Sequence, residues 1–417
     1  MSNACVFHKA RWLVMYIRLI AVLGILAITC NAYGVDLSGF AAMDIRTYTE
    51  NAVLSGQNPR VVDPSVFMQP EIRQEWSGGT DRMTLIPFGR YDSLDSHRSH
   101  WDLREANWLH QGDGWNIQAG VGKVFWGVTE SRHLIDIVNQ TDEVESIRGE
   151  DKLGQPMVNL NVATKFGNLN FLYLPYFRER TYPSAKGRLR FELPVDTDHA
   201  HIQHANNWHT DWAARWSHTF GRWDVGLAYF NGISREPRLV PNSLLRPTAL
   251  VPVYELINQV SVDIQGAVGK WLLKLEAMTR DVPGDRFAAA VAGFEYTESG
   301  IWGSGADLGL LFEYQYDGRE KFSRTMLTNT LPTPNNNDIF VGMRFGFNDE
   351  QNSQLLFGVT IDVDTRATVA SVKGSRRVGD NWKVEVESLA FFNVPQTDIL
   401  IGPSRDDYMQ IRLIRFF

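Results

Sequence analysis

From Val35 onward the chain repeats one unit: about ten residues in which apolar side chains alternate with polar or small ones, then a turn. In 307–316, Leu308, Leu310, Phe312, Tyr314 and Tyr316 alternate with Asp307, Gly309, Leu311, Glu313 and Gln315. In 339–348, Ile339, Val341, Met343, Phe345 and Phe347 alternate with Phe340, Gly342, Arg344, Gly346 and Asn348. The same pattern sets Leu355, Phe357, Val359, Ile361 and Val363 against Leu356, Gly358, Thr360, Asp362 and Asp364, and Trp382, Val384 and Val386 against Lys383, Glu385 and Glu387. Side chains alternate across a strand, so each run has one face for oil and one for water.

The pattern predicts strands near 36–48, 65–76, 82–92, 99–109, 114–125, 156–166, 168–178, 207–219, 222–231, 253–268, 270–280, 286–298, 305–316, 338–348, 353–364, 367–377, 381–391 and 407–417. That is about 18 strands, an even number. About 16 is the alternative, because 95–98 and 282–285 are weak connections and 286–298 has a poor apolar face. A soluble sandwich also alternates. Connection lengths separate the two: tight turns such as 111–113, 167, 220–221 and 269 follow even-numbered strands, and long loops such as 126–155, 179–206 and 232–252 follow odd-numbered ones. Short turns at one rim and long loops at the other are the mark of a transmembrane antiparallel up-and-down β-barrel. Pro70, Pro87 and Pro175 fall inside expected strands, where proline removes a ladder bond, so bulges or displaced boundaries are expected there.

The ends of the chain fit export. Lys9, Arg11 and Arg18 lead into the apolar run at 19–28, and small or polar residues follow to Gly34. This is the layout of a signal peptide over 1–34, with the barrel at 35–417; the run is too short for a spanning helix. Both cysteines, Cys5 and Cys30, lie in this leader, so the mature chain has no disulfide and no thiol chemistry. Without the leader's basic residues the net charge is −10, a poor match for nucleic acid. The terminal YMQIRLIRFF, ending at Phe417, resembles the strand by which outer-membrane barrels are recognised by assembly machinery. Counting back by twos puts Arg415 on the lipid side, where it must snorkel. Trp115, Trp223, Trp271 and Trp382 each follow a short turn, as in a periplasmic aromatic girdle.

The polar faces carry mixed charge: Asp44, Arg46, Glu71, Arg73, Arg104, Asp211, Arg215, Asp263, Lys274, Glu276, Arg280, Glu313, Arg344, Asp362, Lys383, Glu385 and Glu387. A cation on the lipid face costs roughly 2–4 kcal/mol at the midplane, so these groups should face a wet lumen. Opposed charges there set a field and a constriction, unless they serve only as cross-strand pairs.

The most distinctive passage runs from Arg104 to Asp142: a strand, a turn, a second strand and a long loop beginning at Gly127. Through Arg104, Glu105, Ala106, Gly122, Lys123, Trp126 and Gly127 it resembles outer-membrane porin-like barrels of the alginate-export kind and related uncharacterised families. The resemblance covers about a tenth of the chain. It implies that the following loop folds into the lumen and narrows it, with Arg132, His133, Asp136, Asn139 and Asp142 as candidates for the constriction; a loop that only caps the rim is the alternative. The expected pore-lining set is Arg104, Lys123, Arg132, His133, Asp136, Asp211, Arg215, Lys274, Glu276, Glu313, Arg344, Asp362, Lys383 and Glu385.

A second loop places Arg178, Arg180, Lys186, Arg188 and Arg190 before Asp196, Asp198, His199, His201 and His204. Its basic half suits lipopolysaccharide phosphates or anions at the mouth. The second half holds metal-ligand residue types without a metal motif, and a solvated loop is the expectation. No GxSxG, HExxH or P-loop is present, and a trio of Asp211, His209 and Ser217 is the only catalytic arrangement that suggests itself. The sequence therefore reads as a Gram-negative outer-membrane channel for small hydrophilic solutes, with no cofactor and with membrane lipid, lipopolysaccharide and the assembly machinery as partners. An outer-membrane hydrolase, or a structural or adhesion barrel acting through its loops, is the alternative.

Overall fold

The computed structural model describes residues 34–319, 333 and 335–417; the expected signal peptide lies outside them. The strands are β1 (Val35–Tyr48), β2 (Val62–Trp76), β3 (Asp81–Asp92), β4 (Trp101–Gly112), β5 (Trp115–Gly122), β6 (Gln155–Thr164), β7 (Gly167–Leu174), β8 (His201–Ile202), β9 (Asp211–Phe220), β10 (Trp223–Ile233), β11 (Arg238–Pro241), β12 (Leu250–Tyr254), β13 (Leu256–Val268), β14 (Trp271–Val282), β15 (Asp285–Glu298), β16 (Asp307–Asp317), β17 (Asn337–Gly346), β18 (Gln354–Asp362), β19 (Thr368–Val378), β20 (Trp382–Phe392) and β21 (Tyr408–Phe416). Eighteen of them form one sheet in which each pairs antiparallel with its chain neighbour, and β1 pairs with β21 from Phe40↔Phe416 to Tyr48↔Tyr408. That last pairing closes the barrel and leaves no open edge. The other three strands, β8, β11 and β12, make a small separate sheet within the long loops.

Alternation sets the two faces. On β16, Phe312, Tyr314 and Tyr316 are exposed while Leu311, Glu313, Gln315 and Asp317 are buried. On β1, Met43 and Ile45 point out while Asp44 and Arg46 are buried inside. The outer face is therefore apolar and the charged face turns inward, the arrangement that an exterior of lipid would require. No helix is long and apolar enough to cross a membrane among the described residues. Short turns gather at one rim. Asp113-Gly114 joins β4 to β5 with Gly114 at φ 75°, the positive φ that a two-residue hairpin turn requires. Trp115, Trp223, Trp271 and Trp382 stand exposed just past these turns. Arg415 lies on the outer face, as the phase of the last strand predicts, and its guanidinium sits 5.4 Å from the Trp382 ring while bonding the Phe416 carbonyl at 2.7 Å.

Departures from the expected strands have local causes. Met68↔Gly89 and Ile72↔Leu85 share one register, which sets Pro70 opposite Pro87, and the ladder is interrupted between those pairs. A bulge follows on the β3–β4 side, where Ile86 pairs with Glu105 and Pro87 with Leu103, leaving Arg104 as the extra residue. Pro175 falls just beyond β7, correcting the boundary expected at 178. The expected strand at 253–268 begins at Leu256, because Val253 and Tyr254 pair instead with Arg238 and with His201 and Ile202 in the small sheet. Both connections read as weak are real: Pro283-Gly284 is a tight turn, and the 93–100 segment joins β3 to β4, so the count of 18 holds. β15 looked poorly amphipathic because its inward residues Phe287, Ala289 and Val291 are apolar and buried, packed inside the barrel rather than lining water.

If the outer face meets hydrocarbon, Val341→Arg at its middle should cost about 2–4 kcal/mol. Equilibrium unfolding in lipid vesicles measures this; a change within about 0.5 kcal/mol, as at a water-exposed surface, would show that the face does not sit in lipid.

Candidate functional site: a loop across the lumen

The segment 123–154 folds into the barrel. Asn139 ties its base: its side-chain oxygen accepts from the Val124 amide at 2.8 Å, and its Nδ2 donates to the carbonyls of Gly122 at 3.0 Å and Leu153 at 2.9 Å. The outgoing and returning arms are thus held by one buried side chain. Leu134, Ile135, Ile137 and Val138, which carry the amphipathic spacing of the sequence, pack with Trp126 against Met157, Leu172, Phe230, Ile257, Met278 and Phe287 of the inner wall. Burial of that apolar surface drives the insertion.

Two wall carboxylates hold the apex. Glu276 on β14 accepts from the Val128 amide at 2.7 Å, the Thr129 amide at 3.0 Å, the Thr129 hydroxyl at 2.8 Å and the Ile135 amide at 3.2 Å. Glu313 on β16 accepts from the amides of Glu130 at 2.7 Å and Ser131 at 2.8 Å and from the Ser131 hydroxyl at 2.5 Å. Arg132 reaches Asp317 at 2.8 Å, and Glu130 meets Arg344 of β17 at 2.6 Å. On the other wall, Asp142 receives Arg104 of β4 at 2.6 Å and the Thr181 hydroxyl at 2.7 Å, while Glu145 pairs with Arg90 of β3 at 2.7 Å. In the ring of strands, β4 and β16 lie halfway round from each other, so the segment spans the full width of the lumen.

The loop charges respond to this enclosure. Desolvation acts to raise the Asp142 carboxyl, but His100, 3.6 Å away, and the charge of Arg104 hold it well below the usual range. Asp136 is pushed up by burial, with Lys152 at 3.3 Å opposing. Asp151 is pushed up to about 6 by desolvation and by the charges of Glu145 and Asp142. Glu236, in the 234–255 loop, sits far below the carboxylate range despite desolvation, because Arg319 and Arg280 each lie 2.9 Å away and Arg132 and Arg180 stand near.

Water-accessible space remains on both sides of the loop. A cavity of about 670 Å³ on the long-loop side is lined by Arg132, His133, Asp136, Glu236, Asp362 and Lys373 among others. A second, of about 640 Å³, opens at the short-turn side between the loop and β5, β6 and β7.

No family model matches the chain, and no curated protein matches it in sequence. Solved structures match its shape along nearly its full length. A BenF-like porin from Pseudomonas fluorescens aligns at TM-score 0.54 and 8% identity, over 92% of this chain and 97% of that one. OpdQ from Pseudomonas aeruginosa aligns at 0.51 and 9%, over 92% and 97%. Wzi from Escherichia coli, described as an outer-membrane carbohydrate-binding β-barrel involved in group 1 capsule assembly, aligns at 0.52 and 8%, over 95% and 87%. The fold is that of the porin-like barrels.

Within this porin-like barrel the expected pore-lining residues face inward, but few are free. Arg104 is buried against Asp102 and Asp142. Arg215 of β9 spans β10 to make a bidentate pair with Asp263 of β13, at 2.8 Å through Nη2. Gly226 lies between them, where a Cβ would fall 2.4 Å from both side chains. Asp211 binds Arg235 at 2.7 Å, the Ile233 amide at 3.0 Å and His209 at 2.9 Å. Lys274 pairs with Glu295, and Lys383 with Glu385, which also meets Arg412. Asp362 caps the turn after β18 through the amides of Asp364 and Thr365, both at 2.8 Å. Glu276 and Glu313 hold the loop rather than face open water. Lys123 and His133 are exposed within the barrel, His133 edge-on to Phe125.

Sequence reasoning missed the cluster around Asp44, which joins Arg90 at 2.8 Å and Arg412 at 2.7 Å, with Arg98 at 2.6 Å from Asp92. The alternation of Phe88, Arg90 and Asp92 pointed to it. The second loop also departs from expectation. Arg188 is buried on Asp406 at 2.5 Å, Arg190 on the carbonyls of Phe191, Glu192 and Ser55, and Arg178 on Asp102 at 2.7 Å, so these three are committed inside and not offered to lipopolysaccharide. Lys186 stays exposed. His199 pairs only with Asp196 at 2.8 Å, and no metal-type cluster forms among the described residues.

Hydrogen bonds to a charged acceptor contribute about 1.5–3 kcal/mol each. Glu276→Ala should therefore release the apex: hydrogen exchange of amides 128–135 is expected to quicken about a hundredfold or more, while the β14 amides stay protected. Unchanged exchange at 128–135 would show that Glu276 does not hold the loop.

Proposed function

We propose that this chain is an outer-membrane channel through which small hydrophilic solutes pass down their gradient, exported through its leader and inserted by recognition of the strand that ends at Phe417. The observation that carries the reading is the segment 123–154 fastened across a closed barrel, with a water-accessible cavity on each side of it. A channel that sorts solutes needs such a narrowing, and mixed charges around it set a transverse field. Arg132, His133 and Asp136 border the long-loop cavity, with Lys152 beside Asp136, and form the proposed filter. The apolar exterior supports contact with membrane lipid, and Lys186 remains for lipopolysaccharide.

Catalysis has less support. Ser217 lies six positions along β9 from Asp211, about 20 Å at strand spacing, so the trio suggested by the sequence does not assemble. The neighbours of similar shape are described as porins and a carbohydrate-binding barrel. One observation favours a second reading, a shut barrel that binds at its surfaces: Ile135 and Val138 are wholly buried at the centre of the loop, a dry seal.

Planar-bilayer recording of the purified protein decides between them. Discrete ohmic steps are expected, and silence from correctly folded protein would favour the shut barrel. Asp151 provides a second check. Its folded pKa of about 6 exceeds the unfolded value of 3.8, so the group contributes stability below about pH 4 that is lost as pH rises past 6, and it charges in that upper range. Cation preference should therefore increase with pH through a midpoint near 6, and Asp151→Asn should flatten that step. A wild-type profile retained in Asp151→Asn would exclude Asp151 from the path.

A further inference from the structure

The lumen has one sector without charge. The strands β5, β6 and β7 contain no Asp, Glu, Lys or Arg at all, although nearly every other strand turns at least one charged group inward. Toward the short-turn end they turn carboxamides inward: Asn116 and Gln118 from β5, Asn159 and Asn161 from β6, Asn168 and Asn170 from β7. The amides form a ladder across the three strands. Asn161 donates to Asn116 at 3.0 Å, and Asn170 donates to Asn161 at 2.7 Å and also to Asn159. All but Gln118 border the 640 Å³ cavity at the short-turn side, under a roof of Val124 and Trp126. The one ionised group on its lining, Arg215, is neutralised by its bidentate pair with Asp263.

We propose that this vestibule is a binding site for a neutral, polyhydroxylated solute such as a short oligosaccharide. A carboxamide offers two donors and an acceptor, and the ladder uses only part of that capacity. Among the described residues, the Nδ2 groups of Asn116 and Asn159, the oxygen of Asn170 and the whole amide of Asn168 make no hydrogen bond within the protein. Donors and acceptors spaced along one wall match neighbouring hydroxyls on a sugar, each of which both gives and takes a hydrogen bond. An ion gains nothing comparable, since the wall bears no net charge. The volume lies in the range of small-molecule sites. The inference rests on the lumen being a solute path and specifies which solutes it favours on the short-turn side.

Calorimetric titration of the detergent-solubilised full chain with maltotriose, and separately with gluconate, tests the proposal. Maltotriose should bind more tightly than gluconate, and the double variant Asn159→Leu, Asn170→Leu should weaken it by about tenfold or more. The milder Asn170→Ser should lose part of that affinity, and it keeps the test open if the double variant does not fold. Wild-type affinity in the folded variants, gluconate bound as tightly as maltotriose, or no saccharide binding at all would each overturn the site. Conductance without saccharide binding removes this inference and leaves the channel standing; saccharide binding in a protein that never conducts does the reverse.

Discussion

A charge carried inside a closed barrel must find its counterpart there, and this requirement organises the molecule. Strand alternation forces Asp44, Glu276 and Glu313 inward, where each is buried. Unanswered, such groups carry a desolvation cost of several kcal/mol each. Asp44 is answered by arginines from β3 and β21, and so binds the strands at the seam where the sheet closes. Glu276 and Glu313 are answered from elsewhere: by the backbone amides and hydroxyls of a loop that leaves the wall on the opposite side. The placement of the loop is thus the solution to a problem posed by the wall.

Hydrophobic burial follows the same logic in reverse. The core of this porin-like barrel is not between sheets but between the loop and the inner wall, where Ile135, Leu172, Phe230 and Val291 lose nearly all contact with water. An apolar inner face of β15 has no purpose in a water-filled tube. It is explained once Leu134 to Val138 lie against it.

The barrel was legible in the sequence because one periodicity, apolar outside and polar inside, is repeated along the chain. Phases read from Phe312, Val341 and Phe357 are the phases observed, down to Arg415 on the outer face. Loop interiors were not legible to the same degree. Nothing local in the run from Arg178 to Arg190 says whether those cations face phosphate or carbonyl, and their acceptors, such as Asp406, are more than two hundred residues away for Arg188. Likewise Glu276 and Glu313 carry the signature of lumen residues whether they meet a solute or a backbone amide. Sequence distance hides such partners, whereas alternation reveals which side a residue faces.

Asn139 gives the inserted segment a particular mechanical character. By stitching Gly122 to Leu153 it turns one long excursion into a smaller ring whose neck is shut, which reduces the chain entropy left to be lost when the tip docks. Detaching the tip from Glu276 and Glu313 therefore does not unravel the whole excursion. What lies beyond the neck is a short tethered flap rather than the slack length of the whole segment 123–154.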